Sequence, residues 1–264
     1  MSNGYRRGAS ARRRTVESAA RDIGVSDSGW RELVSKEGSD QRRPPPFLSE
    51  LPPVGAPYAP KSPIGKRLQA LIEDNLYVQA FETAITAVSR RRIPELERIK
   101  TLNQFYYYVD ALVSWVPEIR VWNFDGQNAH ERTVYLRITQ FYYYFNQPSL
   151  GPLQSPIDPA ASDKDLTPLS RWLREFAVQW GEFLDTSASS ELLSSFKYAP
   201  EYSWQDYERA PEEYATFNAF FARQFRDIDK QRPVAQPKND RVVVFPAEST
   251  FVGQWAVSTP VGPP

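Results

Sequence analysis

The chain has 264 residues, 41% hydrophobic and 14% aromatic, with 32 basic residues balanced by 32 acidic ones. That length holds one large domain or two small ones, and zero net charge removes the global field that would draw nucleic acid. With no Cys there is no disulfide framework, thiolate nucleophile or Cys-based metal site; no apolar run approaches the roughly 20 residues that span a bilayer.

The chain starts basic. Arg6, Arg7, Arg12, Arg13 and Arg14 stand among the first residues without an acid, and no apolar stretch accompanies them as a secretory signal would require. Two readings stay open: a transit peptide directing the protein to mitochondria, or a disordered basic tail on a cytoplasmic protein. Residues 41–63 are proline-rich (Pro44, Pro45, Pro46, Pro52, Pro53, Pro57, Pro60, Pro63) and read as extended polyproline segments, a linker or a strap over the surface. Residues 1–63 thus form a tail, with folded structure expected from about Ile64.

Four helices follow from apolar periodicity. The first covers 64–90 through Leu68, Leu71, Ile72, Phe81, Ile85 and Val88. The second starts at Pro94, a good first-turn residue, and carries Ile99, Leu102, Phe105, Val109, Leu112 and Val116. The third covers 131–145, with Tyr135, Ile138, Tyr142 and Phe145, and is stopped by Pro148. In the fourth, Thr167 caps, Pro168 takes the first position, and Leu169, Trp172, Leu173, Phe176, Ala177, Trp180, Phe183 and Leu184 make an apolar stripe. Gly126, Pro148, Gly151 and Pro152 mark the loops. Phe-Tyr-Tyr-Tyr occurs twice, at 105–108 and 141–144; with unmatched flanks and no third copy, packing between two neighbouring helices explains it better than a repeat.

Past Ser187 the pattern changes. A polar, aromatic-rich stretch (Phe196, Tyr198, Tyr202, Trp204, Tyr207) leads to a short helix that Thr216 can cap. The β-branched run 241–245 reads as a strand and 251–257 as a second, while the proline-rich tail 260–264 cannot continue a ladder.

The ordered set Phe217-Asn218-Ala219-Phe220-Phe221-Ala222-Arg223, then Arg226, then Arg232-Pro233-Val234, then a strand running into Pro246-Ala247-Glu248-Ser249, resembles the entry to the catalytic domain of the phosphatidylserine decarboxylase family. Residues 68–81 (LQALIEDNLYVQAF), the helix end Trp180-Gly181-Glu182-Phe183-Leu184, the segment Phe225-Arg226-Asp227-Ile228-Asp229 and Glu248-Ser249 resemble that family's fungal L-tryptophan decarboxylase branch, which carries an added helical domain. The resemblance covers about 64–257. It implies an α+β fold: a mainly helical N-terminal bundle (64–195), then the first strands of an incomplete decarboxylase β domain (196–264).

The implied chemistry is pyruvoyl-dependent. In the family a serine in a Gly-Ser-Ser or Gly-Ser-Thr motif cleaves its own chain and becomes a pyruvoyl group, which forms a Schiff base with the substrate amine and takes up the electrons left by departing CO2. The implied substrate is an aromatic amino acid or phosphatidylserine. Glu248 stands where the family has the Asp that, with a His, activates the serine; a strand-end turn residue is the alternative reading. Arg223, Arg226 and Arg232 either guide an acidic substrate or pair with Asp227, Asp229 and Asp240 to fix the junction, the better-supported choice.

The other catalytic parts are not in this sequence. The one His, His130, lies upstream of the motif block and reads as a surface or helix-start residue; Gly38-Ser39 is followed by Asp40; Ser189-Ser190 and Ser194-Ser195 lack the preceding Gly. The self-cleaving serine is expected downstream of Pro264, so this stretch alone is expected to be inactive. The competing reading is a non-catalytic binding or regulatory remnant. On either, the apolar residues of the unfinished sheet call for a covering partner chain or a homo-oligomer.

Overall fold

The structure, a computed structural model, describes residues 47–91, 93–124, 127–157 and 164–244. Its helices are α1 (Pro63–Asp74), α2 (Val78–Ser89), α3 (Leu102–Val113), α4 (Thr133–Phe145), α5 (Pro168–Leu184), α6 (Phe217–Phe221) and α7 (Ile228–Gln231); strands β1 (Arg120–Phe124) and β2 (Gln127–Glu131) form an antiparallel hairpin. The described fold is mainly helical.

Capping chemistry sets most of the helix starts. Ser62, Thr101, Thr167 and Thr216 each take up a first-turn amide of α1, α3, α5 and α6 with a side-chain oxygen, and Pro63 and Pro168 open α1 and α5. The predicted caps Thr167 and Thr216 and the helices they start are therefore found as expected.

The expected helix over 64–90 is broken. Leu76 adopts φ 57°, and the Tyr77 amide bonds back to Ile72 O at 2.9 Å, the six-to-one closure of a Schellman turn. The Asn75 side chain donates to Leu71 O and satisfies another terminal carbonyl. An apolar residue recurs at every fourth position from Ile64 to Val88, which is why the sequence shows one helix, although the buried residues Ile72 and Phe81 would lie on opposite sides of a continuous one.

The second helix does not start at Pro94. Glu95 sits at φ 65°, a short 3-10 turn follows (Leu96–Arg98), and α3 begins only after Thr101. The hairpin at 120–131, read as loop around Gly126, was not expected; it precedes α4, which begins two residues later than anticipated.

Two apolar clusters hold the chain. In the first, α3 packs against α1, α2 and α5, and rings fill the middle. Phe105 lies 4.9 Å from Tyr144 and Phe141 stacks on Phe176 at 4.4 Å, so the two Phe-Tyr-Tyr-Tyr segments do meet as neighbouring-helix packing. The Trp172 indole N–H donates to Ile64 O at 3.0 Å and ties α5 to α1. Each such buried ring is worth roughly 1.5–3 kcal/mol of transfer free energy. The second cluster joins Ile119, Leu193, Phe196, Ala199, Tyr214, Phe217 and Phe220, with Leu184 and Val134 against it, so it spans both sides of residue 195.

Folded structure begins earlier than Ile64. Leu48 is fully buried, and the segment 47–62 lies along α3 as a strap. Gln104 Nε2 donates to Pro52 O at 2.6 Å and Asn103 Nδ2 to Ala56 O at 3.1 Å. Asp110 receives the Tyr58 hydroxyl (2.8 Å), the amides of Lys61 (2.6 Å) and Ser62 (3.1 Å), and the Ser62 hydroxyl. The proline-rich strap reading thus holds over these residues, with a specific anchor that spacing did not reveal.

Residues 241–244 are not a strand. They run in a turn and coil, Val243 is 95% exposed, and Asn239 supplies the acceptors for the amides of Arg241 and Val242. A β-branched run reads as strand from propensity alone, but without a neighbouring ladder its backbone groups bond locally. Phe245 and the second expected strand, 251–257, lie outside the described residues.

Candidate functional site

The motif block folds into a junction built on rings and arginines. Thr216 starts α6, Phe217 and Phe220 point into the second cluster, and the Asn218 side chain donates to Gly181 O of α5 at 3.2 Å. Phe225 returns antiparallel to Tyr207, with ring centroids 4.5 Å apart. Arg223 lies 4.1 Å over the Tyr207 ring and 4.7 Å over Phe220, and donates to Phe220 O and Tyr202 O. Arg226 donates to Tyr207 O; Arg232 reaches Asp206 Oδ2 at 3.4 Å and covers Phe225 at 4.9 Å.

All three arginines bond within the junction. Their acceptors include the carbonyls of Tyr202, Tyr207, Phe220 and Gln231 and the carboxylate of Asp206, which was not among the aspartates expected. Asp227 instead caps α7 and pairs with Lys230 at 3.0 Å. The planar guanidinium suits ring stacking and carbonyl bonding at once, which a lysine cannot do.

A second charged centre lies inside the bundle, and spacing did not point to it. Arg137 is fully enclosed; its guanidinium is 3.0 Å from Glu95 Oε2 and bonds Gln140 Oε1 at 3.0 Å while covering the Phe47 ring at 4.2 Å. Arg120 lies 3.4 Å from Glu95 Oε1 and 3.6 Å from Glu131 Oε2. Glu95 also accepts the Phe47 amide at 3.1 Å. Its positive φ costs about 1–3 kcal/mol and is sustained by these partners. Half-buried Glu118 stands beside this centre, and burial pushes its carboxyl above the ordinary range, against the opposing pull of Arg120 and Arg137. A signal for Arg137 was present: it falls at helical spacing with Phe141 and Tyr144, on the face that enters the core.

His130 is on β2, its Nε2 3.0 Å from Glu201 Oε2, and Arg132 bonds the other oxygen of Glu201 at 3.1 Å. It bridges the hairpin to the 3-10 turn Pro200–Tyr202, in keeping with a structural rather than a catalytic reading. Glu248 lies outside the described residues. A cleft of ≈ 340 Å³ opens beside Lys197, Pro200, Trp204 and Asp206; the Lys197 ammonium pairs with Glu212 and holds that carboxyl below its ordinary range.

Among the described residues no group of His, Asp or Glu is arranged to hold a metal ion, and no helix is long and apolar enough to cross a membrane. The contact of the Ser62 hydroxyl with the deeply placed Asp110 carboxylate anchors the strap and caps α1. Among known proteins, no family model, curated protein or solved structure matches the chain.

Proposed function

We propose that this chain is the N-terminal part of a pyruvoyl-dependent carboxy-lyase of the phosphatidylserine decarboxylase type, acting on an aromatic amino acid or phosphatidylserine. The observation that carries the reading is the ordered block from Phe217 to Val234: helix, arginines, Arg-Pro step, in one sequence. Its local geometry is consistent with a domain entry. Asn218 and Phe217 secure the block to the helical part, through Gly181 O and the Ser189 hydroxyl, and Arg223 clasps the return past Tyr207. In this reading the bundle supports the start of a catalytic domain, whose pyruvoyl group would supply the electron sink. Glu248 would orient the activating His, as a carboxylate does in a triad.

The test uses the full native gene product, isolated through an epitope in residues 64–195. Incubation with tryptophan or phosphatidylserine and sodium cyanoborohydride reduces any Schiff base, and intact mass then reports it. Two chains from self-cleavage, with the adduct on the one lacking this sequence, support the proposal. A single uncleaved chain without adduct overturns it.

A further inference from the structure

Helix α4 is inside out with respect to charge. A surface helix ordinarily turns its charged residues to water and its apolar stripe inward. In α4 the only charged residue is Arg137, and it is fully buried against Glu95 and Gln140. The solvent side carries Tyr135, Ile138 and Tyr142, exposed at 43%, 37% and 59%, with Leu136, Thr139 and Tyr143 partly exposed. Water therefore meets an uncharged face of rings and aliphatic carbons. The enclosed arginine does not account for it, because the inner face could be as it is with lysines and glutamates outside.

We propose that this face is an interface with a second copy of the chain, the two α4 helices crossing antiparallel about a two-fold axis. The spacing of the stripe supplies the symmetry. Tyr135 and Tyr142 are equidistant from a point between Ile138 and Thr139. A two-fold axis through that point sets each Tyr135 against the other copy's Tyr142 and each Ile138 against the other's Thr139. Self-pairing of a helix face fails when like charges meet across the axis; this face carries none. Thr139 is small enough at the crossing for the backbones to approach, and its hydroxyl is already spent on Tyr135 O and Leu136 O, so it brings no unpaired donor into the contact. Each tyrosine can bury its ring while the hydroxyl stays at the wet rim.

The three exposed side chains supply on the order of 300 Å² per copy, less than the roughly 800 Å² per partner of a standard interface. The dimer is accordingly weak and concentration-dependent.

The lack of Cys gives a direct test. Ile138→Cys places one thiol half a residue from the proposed axis, within the reach of a disulfide across it. Mild oxidation should convert this variant to a covalent dimer. Asp74→Cys, exposed at the end of α1, should stay monomeric under the same conditions. Sedimentation velocity between about 1 and 100 µM, the range of a weak dimer, should show reversible association of the unmodified chain. Tyr142→Glu, on the most exposed of the three positions, should weaken it about tenfold or more by setting an unpaired charge against the other copy's Tyr135, with an unchanged circular dichroism melt. The proposal is overturned by an unmodified chain that stays monomeric at the highest concentration, or by a dimer indifferent to Tyr142→Glu. If the Ile138→Cys variant is monomeric and its introduced thiol resists alkylation, this chain's own 245–264 segment, or another part of it, covers the stripe; if that thiol reacts freely, the face is bare. Both outcomes reject the second copy.

Discussion

The Arg137 guanidinium lies 3.0 Å from the Glu95 carboxylate, with the arginine fully enclosed and the glutamate side chain 11% exposed. Two charges taken out of water at this depth repay their desolvation only in part, so the pair is not in itself a source of stability. It fixes geometry instead. Glu95 holds the strap through the Phe47 amide and the hairpin through Arg120, while Gln140, bonded to Arg137, also donates to Pro94 O. One carboxylate thus sets the positions of three segments distant in sequence.

Arg137→Met is expected to cost about 3–5 kcal/mol, because it leaves Glu95 buried without its main counter-charge. Adding Glu95→Gln removes that charge and should recover a large part of the loss. Urea denaturation of the two single variants and the double variant measures both. A double variant as unstable as the sum of the singles would show that the two residues act independently.

Asp110→Asn tests the strap anchor. The carboxylate accepts four donors from Tyr58, Lys61 and Ser62, and an amide retains one acceptor oxygen while presenting an N–H to donors. The expected loss is about 2–3 kcal/mol, as for charge-assisted bonds left unmade, with faster proteolytic cleavage within 47–62. Gly65→Ala should mimic it, since a Cβ there would collide with Asp110 Oδ1 and Ser62 Oγ. An unchanged cleavage pattern in both variants would mean that Gln104 and Asn103 suffice to hold the strap.

Arg223→Lys is expected to cost about 1 kcal/mol, the value of a partly buried cation over a ring. The ammonium can keep one carbonyl bond but cannot lie flat on Tyr207. Arg223→Lys and Tyr207→Leu should be strongly non-additive, because each removes the same contact; a double-mutant cycle by thermal denaturation decides it.

The caps and the stripe of α5 were legible because they are local: Thr167, Pro168 and Trp172 need only their own helix to be read, whereas the stripe read on α4 (Tyr135, Ile138, Tyr142) faces outward and Arg137, Phe141 and Tyr144 enter the core. What was not legible depends on the third dimension. Leu76 breaks the first helix without breaking the row of apolar residues at every fourth position, and Glu95 leaves the helical region for partners at positions 47, 120 and 137. Residues 241–244 have strand composition but no neighbouring strand among the described residues. The arginines of the motif block bond within it, largely to backbone carbonyls and ring faces, which carry no sequence label.

Tyr108 and Tyr144 predict the alkaline limit of the fold. Burial pushes both hydroxyls above the ordinary tyrosine value of about 10. A folded-state value above the unfolded one contributes stability fully below pH ~10, and that contribution falls as pH rises further, since the unfolded chain loses its protons first. Tyrosinate absorbance from this buried pair should therefore rise only together with loss of the far-ultraviolet dichroism. Full ionisation while the helices persist would contradict the enclosed positions of these rings.

Glu118 gives the opposite end of the pH scale. Burial, the leading influence, raises its carboxyl above the ordinary range, and the nearby Glu131 and Glu95 act in the same direction. A group raised in the folded state stabilises fully below its unfolded value, and that contribution is lost as pH rises through the folded one. At pH 7 the ionised carboxylate is thus less favourable in the fold than in the unfolded chain. Glu118→Gln removes that charge and should raise the melting temperature at pH 7, but leave it unchanged near pH 3, where both states of the parent are protonated. The side chain is only half-buried, so solvent screens the effect and the gain is modest. A fall in melting temperature at pH 7 would mean that attraction to Arg120 and Arg137 outweighs burial at this position.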